Sequence, residues 1–196
     1  MGEDQDVGNA QRAHLRLVRP EAPGPPEEPA PEVYDLETSE GFAAAYARWS
    51  PYVARIALNI TGDSDLASEV VQEVFARAFE HRHRIEDPGV LKAWLRTTAS
   101  RHCYKLVRKR KVMVTFGLVP EPTFEGLGGG GGVEDEVLLK QLFARLERVA
   151  SKDRVAWSLR YLSGESLADV AQACGCSLAT AKRRIKKAND FLTEEG

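Results

Sequence analysis

The chain of 196 residues carries 27 basic and 29 acidic side chains, a formal net charge of −2, and 43% hydrophobic residues. That length suits one medium domain or two small ones. No apolar stretch approaches the ~18–20 residues that span a bilayer, and an opening with Glu3, Asp4 and Asp6 argues against a secretory leader. Three cysteines, Cys103, Cys174 and Cys176, are too few for a disulfide framework, which fits a reducing cytoplasm.

The near balance of charge conceals a strong segregation. Residues 1–38 hold nine acids against three bases, and residues 39–111 hold thirteen bases against eight acids. Residues 112–136 hold five acids and no base, and residues 137–196 eleven bases against seven acids. Two basic blocks with helical patterning therefore alternate with two acidic blocks rich in proline or glycine. The expected fold is all-α, with two small helical domains (39–111 and 137–196) joined by a flexible linker (112–136).

Residues 1–38 contain six of the ten prolines and few large apolar side chains. Such a stretch buries too little surface to offset its ordering entropy and is read as a disordered acidic arm. Next, Phe42, Tyr46 and Trp49 share one helical face. Pro51 is expected to break or kink that helix before Val53, Ile56, Ala57 and Ile60 resume the stripe. Gly62 then supplies a stop, with Asp63 and Ser64 as cap candidates.

The second helix has the clearest pattern in the chain. Val70, Val71, Val74, Phe75, Ala78 and Phe79 repeat as an apolar stripe, and Asp65, Glu69, Gln72, Glu73 and Glu80 occupy much of the remainder. An ordinary solvated face and a docking surface for a basic partner helix both fit it. After a loop at 81–89 bearing His81, Arg82, His83 and Arg84, a third helix is expected over about 90–111. Leu91, Trp94, Leu95, Thr98, His102 and Leu106 form its expected buried stripe. From Pro88 to Lys111 it carries eight bases and no acid. Uncompensated charges on one helix repel unless a polyanion offsets them, so nucleic-acid contact is expected here. Thr97, Ser100, His102 and Tyr104 between the bases suit phosphates and unstacked bases.

The 112–136 block contains Pro120, Pro122 and five consecutive glycines at 128–132, without the Gly-Lys-Ser/Thr of a phosphate loop. It reads as a swivel able to reach roughly 80 Å when extended. Beyond it, Leu138, Leu139, Leu142, Phe143 and Leu146 lead into Val155, Trp157, Leu159 and Leu162, which give helices with core faces; Trp49 and Trp157 are assigned to core. Ser166 and Asp169 form a Ser-x-x-Asp capping box. Ala171, Gly175 and Ala181 have helix-turn-helix spacing, with Ser177 as cap of the last helix. That helix is expected to bury Leu178, Ala181, Ile185, Ala188 and Leu192 and to carry Thr180, Lys182, Arg183, Arg184, Lys186 and Lys187 on its other faces, as a recognition helix for duplex DNA.

His102-Cys103 and Cys174-x-Cys176 are a weak metal or redox pattern, and buried cysteine is ordinarily a small core residue. No metal site, cofactor or catalytic residue is assigned. The sequence offers no nucleophile–base arrangement, HExxH or phosphate loop.

Together the two blocks resemble the sigma-70 family of RNA polymerase initiation factors, in the small extracytoplasmic-function (ECF) form that consists of a region 2 domain, a linker and a region 4 domain. The resemblance rests on Asp65-Leu-Ala-Ser-Glu69-Val-Val-Gln72-Glu73-Val-Phe75, on Ala93-Trp94-Leu95, on Leu159-Arg-Tyr-Leu162 and on Gly175-Cys-Ser-Leu-Ala-Thr180-Ala-Lys182-Arg183. It implies that Asp65, Glu69, Gln72, Glu73 and Phe75 bind core RNA polymerase, on the β′ coiled coil, with the β subunit also in contact with the factor. It implies that Trp94, Arg96, Thr97, Ser100, Arg101, Lys105, Arg108 and Lys109 contact the melted minus-ten element. Ser177, Thr180, Lys182, Arg183, Arg184, Lys186 and Lys187 would contact the minus-thirty-five element.

Partners implied are core polymerase, promoter DNA and, in some members, an anti-sigma factor, with no membrane insertion. Two departures stand out: Arg96 occupies a position usually aromatic, and Ala179, Ala181 and Arg183 replace the usual Gly, Val and Ser. The acidic linker (Glu121, Glu125, Glu134, Asp135, Glu136) is either an RNA mimic in the polymerase exit channel or a soluble tether. The competing reading of the whole chain is a free-standing helix-turn-helix regulator without polymerase contact.

Overall fold

A computed structural model describes residues 34–85, 88–120 and 133–194. Among them are seven α-helices and a short 3-10 helix, Arg82–Arg84, with no strand. The first block forms α1 (Ser39–Thr61), α2 (Ser64–Glu80) and α3 (Pro88–Thr115); the second forms α4 (Val133–Arg148), α5 (Ser151–Tyr161), α6 (Leu167–Ala173) and α7 (Leu178–Glu194).

Most helix ends are set by local chemistry. Thr38 caps α1 by accepting from the Gly41 N–H at 3.1 Å, and Leu36, just before it, is buried. Residues 1–33 of the arm, and the five glycines, lie outside the described residues. Gly62, at φ 68°, ends α1 in the left-handed conformation that glycine adopts without steric penalty. Asp63 then caps α2 through the N–H groups of Asp65 and Leu66. Pro51 does not break α1, which runs through it unassigned to any other element. Packing against α2 and α3 holds the chain helical on both sides of the missing N–H.

α3 is longer than expected, reaching Thr115, and α4 starts four residues before Val137. Glu134, Asp135 and Glu136 make up the acidic first turn of α4, where they complement the helix dipole. Glu136 also pairs with Lys140 at 2.8 Å.

α2 buries Val70, Val71, Val74, Phe75 and Ala78 as its pattern requires. Phe79 stays 52% exposed, under the Arg82 guanidinium at 4.2 Å. The buried stripe of α3 is Leu91, Leu95, Ala99, Cys103 and Val107. The expected Trp94, Thr98, His102 and Leu106 are only half-buried at its margin. A second line, Arg96 and Ser100, is buried as well, because α3 lies between α1 and α2 on one side and α5 and α6 on the other. α5 is enclosed on every side: residues 153–159 are all buried. Trp157 is core as expected, while Trp49 is half-buried between Arg48 and Lys92.

The two blocks are therefore docked on each other. Tyr52 Oη donates to Glu165 Oε1 at 2.9 Å, Asn59 Nδ2 donates to Ser163 Oγ at 3.1 Å, and Lys111 Nζ donates to the Arg148 and Val149 carbonyls at 3.0 Å.

Candidate nucleic-acid interface

α7 gives the cleanest cationic surface. Ala181, Ile185, Ala188 and Leu192 fix one side of it in the core. Leu178, expected on that stripe, is 51% exposed because it stands at the first turn, beyond the reach of α6. The opposite side presents Lys182, Arg183, Lys186 and Lys187 to solvent, with Thr180 and Arg184 half-buried at the edge. Ser177 caps the helix through the Thr180 N–H at 3.2 Å. The turn before it depends on Gly175 at φ 58°, and Ala171 and Ala181 are the small buried residues where α6 and α7 meet. Asp190 accepts from Lys186 at 2.6 Å, and Asp153 lies 3.7 Å from Lys187. Arg183 and Lys182 have no such partner among the described residues' ion pairs and point a helix-wide positive field outward.

α6 is capped by Ser166, whose Oγ accepts from the Asp169 N–H at 3.1 Å and donates to Asp169 Oδ2 at 2.6 Å. The acid does not return to the backbone of residue 166 as in a full capping box, because its other oxygen receives Arg96 at 2.6 Å.

α3 divides into two faces. Arg101, Lys105, Arg108 and Lys109 are exposed. Tyr104, Lys105, Arg108, Lys109, Val112 and Met113, all on α3, line a shallow, open groove of about 330 Å³ that combines basic and apolar side chains. Trp94 and Thr97 are half-buried. Arg96 and Ser100, expected to face nucleic acid, are instead 4% and 1% exposed. Arg96 donates to Glu165 Oε2 at 3.1 Å, to Asp169 Oδ1 at 2.6 Å and to Gln172 Oε1 at 2.8 Å; Ser100 Oγ donates to the Arg96 carbonyl. In this arrangement the second domain covers that face.

On α2, Asp65, Glu69 and Gln72 are exposed. Glu73 is partly screened by Arg77 at 2.6 Å, and the hydrogen bond from Arg77, with its charge, holds the Glu73 carboxyl below the usual carboxylate range. Phe75 is not on this surface. It is 5% exposed and packs edge-on against Tyr46 and Phe42 at 4.7 and 6.4 Å, so it seats the acidic face from below.

Several interdomain residues carry no sequence signal. Arg154, 2% exposed, donates to the Ile60 carbonyl at 2.9 Å and the Thr61 carbonyl at 3.1 Å, and pairs with Glu147 at 2.7 Å. Arg110 meets Asp63 at 2.7 Å and Glu147 at 3.5 Å. Burial, and then the Glu165 carboxylate, push the Tyr52 hydroxyl above its ordinary range. Burial also pushes the Cys103 thiol up to about 12 and the Cys174 thiol up to about 11, which makes both inert near neutrality. Among the described residues no cluster of three His, Cys, Asp or Glu has metal-binding geometry, and no helix is long and apolar enough to cross a membrane.

An exposed cationic helix-turn-helix and a second cationic helix give the chain the surfaces of a DNA-binding protein, with a separate carboxylate face on α2. Comparison with known families matches two segments of the chain. Residues 45–112 match Sigma-70 region 2 and residues 139–189 match Sigma-70, region 4.

The chain is 29% identical over 146 residues to ECF RNA polymerase sigma factor EcfG of Rhodopseudomonas palustris (strain TIE-1), spanning 73% of this chain and 78% of that protein. It is 30% identical over 132 residues to ECF RNA polymerase sigma factor SigC of Mycobacterium tuberculosis (strain CDC 1551 / Oshkosh), spanning 66% and 70%. Among solved structures it resembles the sigma factor RpoE of Bartonella quintana, determined in complex with the anti-sigma factor NepR. That match has TM-score 0.62 and 27% identity, over 79% of this chain and 96% of that one. The chain belongs to the sigma-70 family, in its ECF branch.

Proposed function

We propose that this chain is a transcription initiation factor that binds core RNA polymerase in the cytoplasm and directs it to promoters. The observation that carries the reading is the pairing, in one chain, of region 2 and region 4 modules whose helices keep two separate cationic surfaces. Its action is physical rather than catalytic. The exposed carboxylates of α2 (Asp65 and Glu69), with Gln72 and the partly screened Glu73, dock on a basic helical surface of the β′ subunit. The exposed side of α7 enters the major groove of duplex DNA at the minus-thirty-five element. Arg101, Lys105, Arg108 and Lys109 hold the phosphates around the minus-ten element, and the groove beside Tyr104 accepts an unstacked base, offsetting an unstacking cost of a few kcal/mol per step. An anti-sigma protein is a further partner, as the complex of the Bartonella relative suggests.

The test is run-off transcription with purified core polymerase on promoter-containing fragments taken from upstream of the chain's own coding sequence. A discrete transcript that depends on the added chain is expected. DNA binding by the chain alone, with no transcript and no association with core at low salt, would instead make it a free-standing regulator.

A further inference from the structure

His102 is an ionisable ring on the half-buried margin of α3, between Thr98 and Leu106. Its side chain is 17% exposed, yet the ring nitrogen Nε2 is itself buried and has no hydrogen-bond partner. A nitrogen left unpaired in the interior is costly, so such an atom is ordinarily kept where a partner can reach it. The carboxylate that faces it is Glu69 of α2, whose Oε1 lies 3.9 Å from Nε2. Glu69 is 58% exposed and belongs to the face proposed above to dock on polymerase. Its side chain is free to turn outward to a partner, or inward by about 1 Å to a hydrogen bond with His102.

The other charged groups near the ring are already engaged or point to solvent. On α2, Glu73 feels the His102 ring electrostatically but is held by Arg77 at 2.6 Å. On α3 itself, Arg101 and Lys105 flank His102 and are exposed. α1 buries no ionisable side chain. On α5, Arg154 is taken by Glu147 at 2.7 Å, and Asp153 faces Lys187 at 3.7 Å. At α6, Glu165 and Asp169 are both taken by Arg96. Glu69 is thus the carboxylate left to answer a change of charge on His102.

A neutral ring leaves Glu69 its full charge. An imidazolium at the same place attracts the carboxylate and offsets that charge where a basic partner surface needs it. The basic surface in turn repels the imidazolium, so protonation and docking oppose each other by linkage. Histidine is the side chain that makes this change near neutral pH.

We propose that His102 is a positioning residue of the polymerase-docking face: neutral, it leaves Glu69 outward for the partner, and protonated, it draws Glu69 inward. Association with core therefore weakens as pH falls through the histidine range. The proposal rests on the docking reading above.

Two measurements on the full chain test it. In the first, affinity for purified core polymerase is determined at pH 8 and pH 6 for wild type, His102→Gln and Glu69→Gln. Between these pH values wild type is expected to lose about five-fold more affinity than His102→Gln, near the low end of coupling between sites. Glu69→Gln should bind more weakly at pH 8 and show the shallow pH dependence of His102→Gln. An equal fall in all three chains overturns the proposal, because a merely structural role for His102 leaves the pH profile unchanged.

The second measurement needs no polymerase. With glutamate carboxyl groups labelled with carbon-13, the Glu69 resonance is identified by its loss in Glu69→Gln. In wild type it is expected to shift between pH 7.5 and pH 5.5, above its own titration, and to lose that step in His102→Gln. A missing step in wild type overturns the proposal, whatever the chain binds. Failure of wild type to bind core at pH 8 counts against the docking reading instead, and the carboxyl resonance then decides the role of His102 alone.

Discussion

Arg154 terminates a helix that belongs to the other domain. From α5, its Nε and Nη2 donate to the carbonyls of Ile60 and Thr61, in the last turn of α1. Those carbonyls have no partner further along their own helix, so an interior guanidinium serves as both cap and interdomain tie, with Glu147 at 2.7 Å balancing its charge.

Arg154→Met keeps much of the volume but withdraws the cap and leaves Glu147 with Arg110 alone. We expect docking to weaken by about 3 kcal/mol, near the low end for breaking a buried pair. Urea unfolding should change from one cooperative transition to two, as each module melts by itself. An unchanged single transition in the variant contradicts this role for Arg154.

Alkaline pH should destabilise the chain through Cys103. Its thiol lies near 9 ordinarily and is pushed up to about 12 in the folded protein by burial. Below pH 9 both states keep the proton and the group contributes no pH dependence. Between pH 9 and 12 the unfolded chain releases the proton and the folded chain holds it, so stability falls as pH rises. The fall in urea midpoint from pH 8 to pH 10.5 should be shallower in Cys103→Ala than in wild type. Tyr52, shifted in the same direction, leaves a residual slope. Equal slopes contradict the assignment.

How much of this was legible in the sequence depends on the range of the interaction. The stripes of α2 and α7, the Asp63, Ser166 and Ser177 caps and the Gly175 turn are set within a few residues, and periodicity and cap chemistry find them. The continuation of α1 through Pro51 is the local exception, where packing overrides a breaker.

The docking of the two domains left no such trace. Arg96 meets Glu165 and Gln172 across 69 and 76 residues of chain, and on its own helix it reads as one more base in a cationic run. Burial on that second side continues the expected Leu91 and Leu95 line through Ala99, Cys103 and Val107 in place of Thr98, His102 and Leu106. Phe75 sits beside the acidic residues in the family motif, but its ring follows the apolar stripe into the core.

Reversing charge on α2 should separate polymerase binding from DNA binding. Glu69→Lys with Asp65→Lys places cations on the exposed carboxylate face without touching the buried valines. Co-elution with core polymerase should be lost, while the variant's affinity for minus-thirty-five duplex, measured by fluorescence anisotropy, stays within about two-fold of wild type. Retained co-elution contradicts the docking face.

Removing bases from α7 should act through counterion release. Arg183→Ala and Lys187→Ala each withdraw one exposed positive charge, so each should reduce the slope of log affinity against log salt for duplex binding by about one. A slope unchanged by both substitutions places the DNA elsewhere.

The most direct measurement is a hydroxyl-radical footprint on a cognate promoter with chain and core polymerase, separately and together. Protection around both the minus-ten and minus-thirty-five elements is expected only when the two are combined, with the upstream protection lost in Arg183→Ala/Lys187→Ala. The same protected pattern from the chain without polymerase contradicts it.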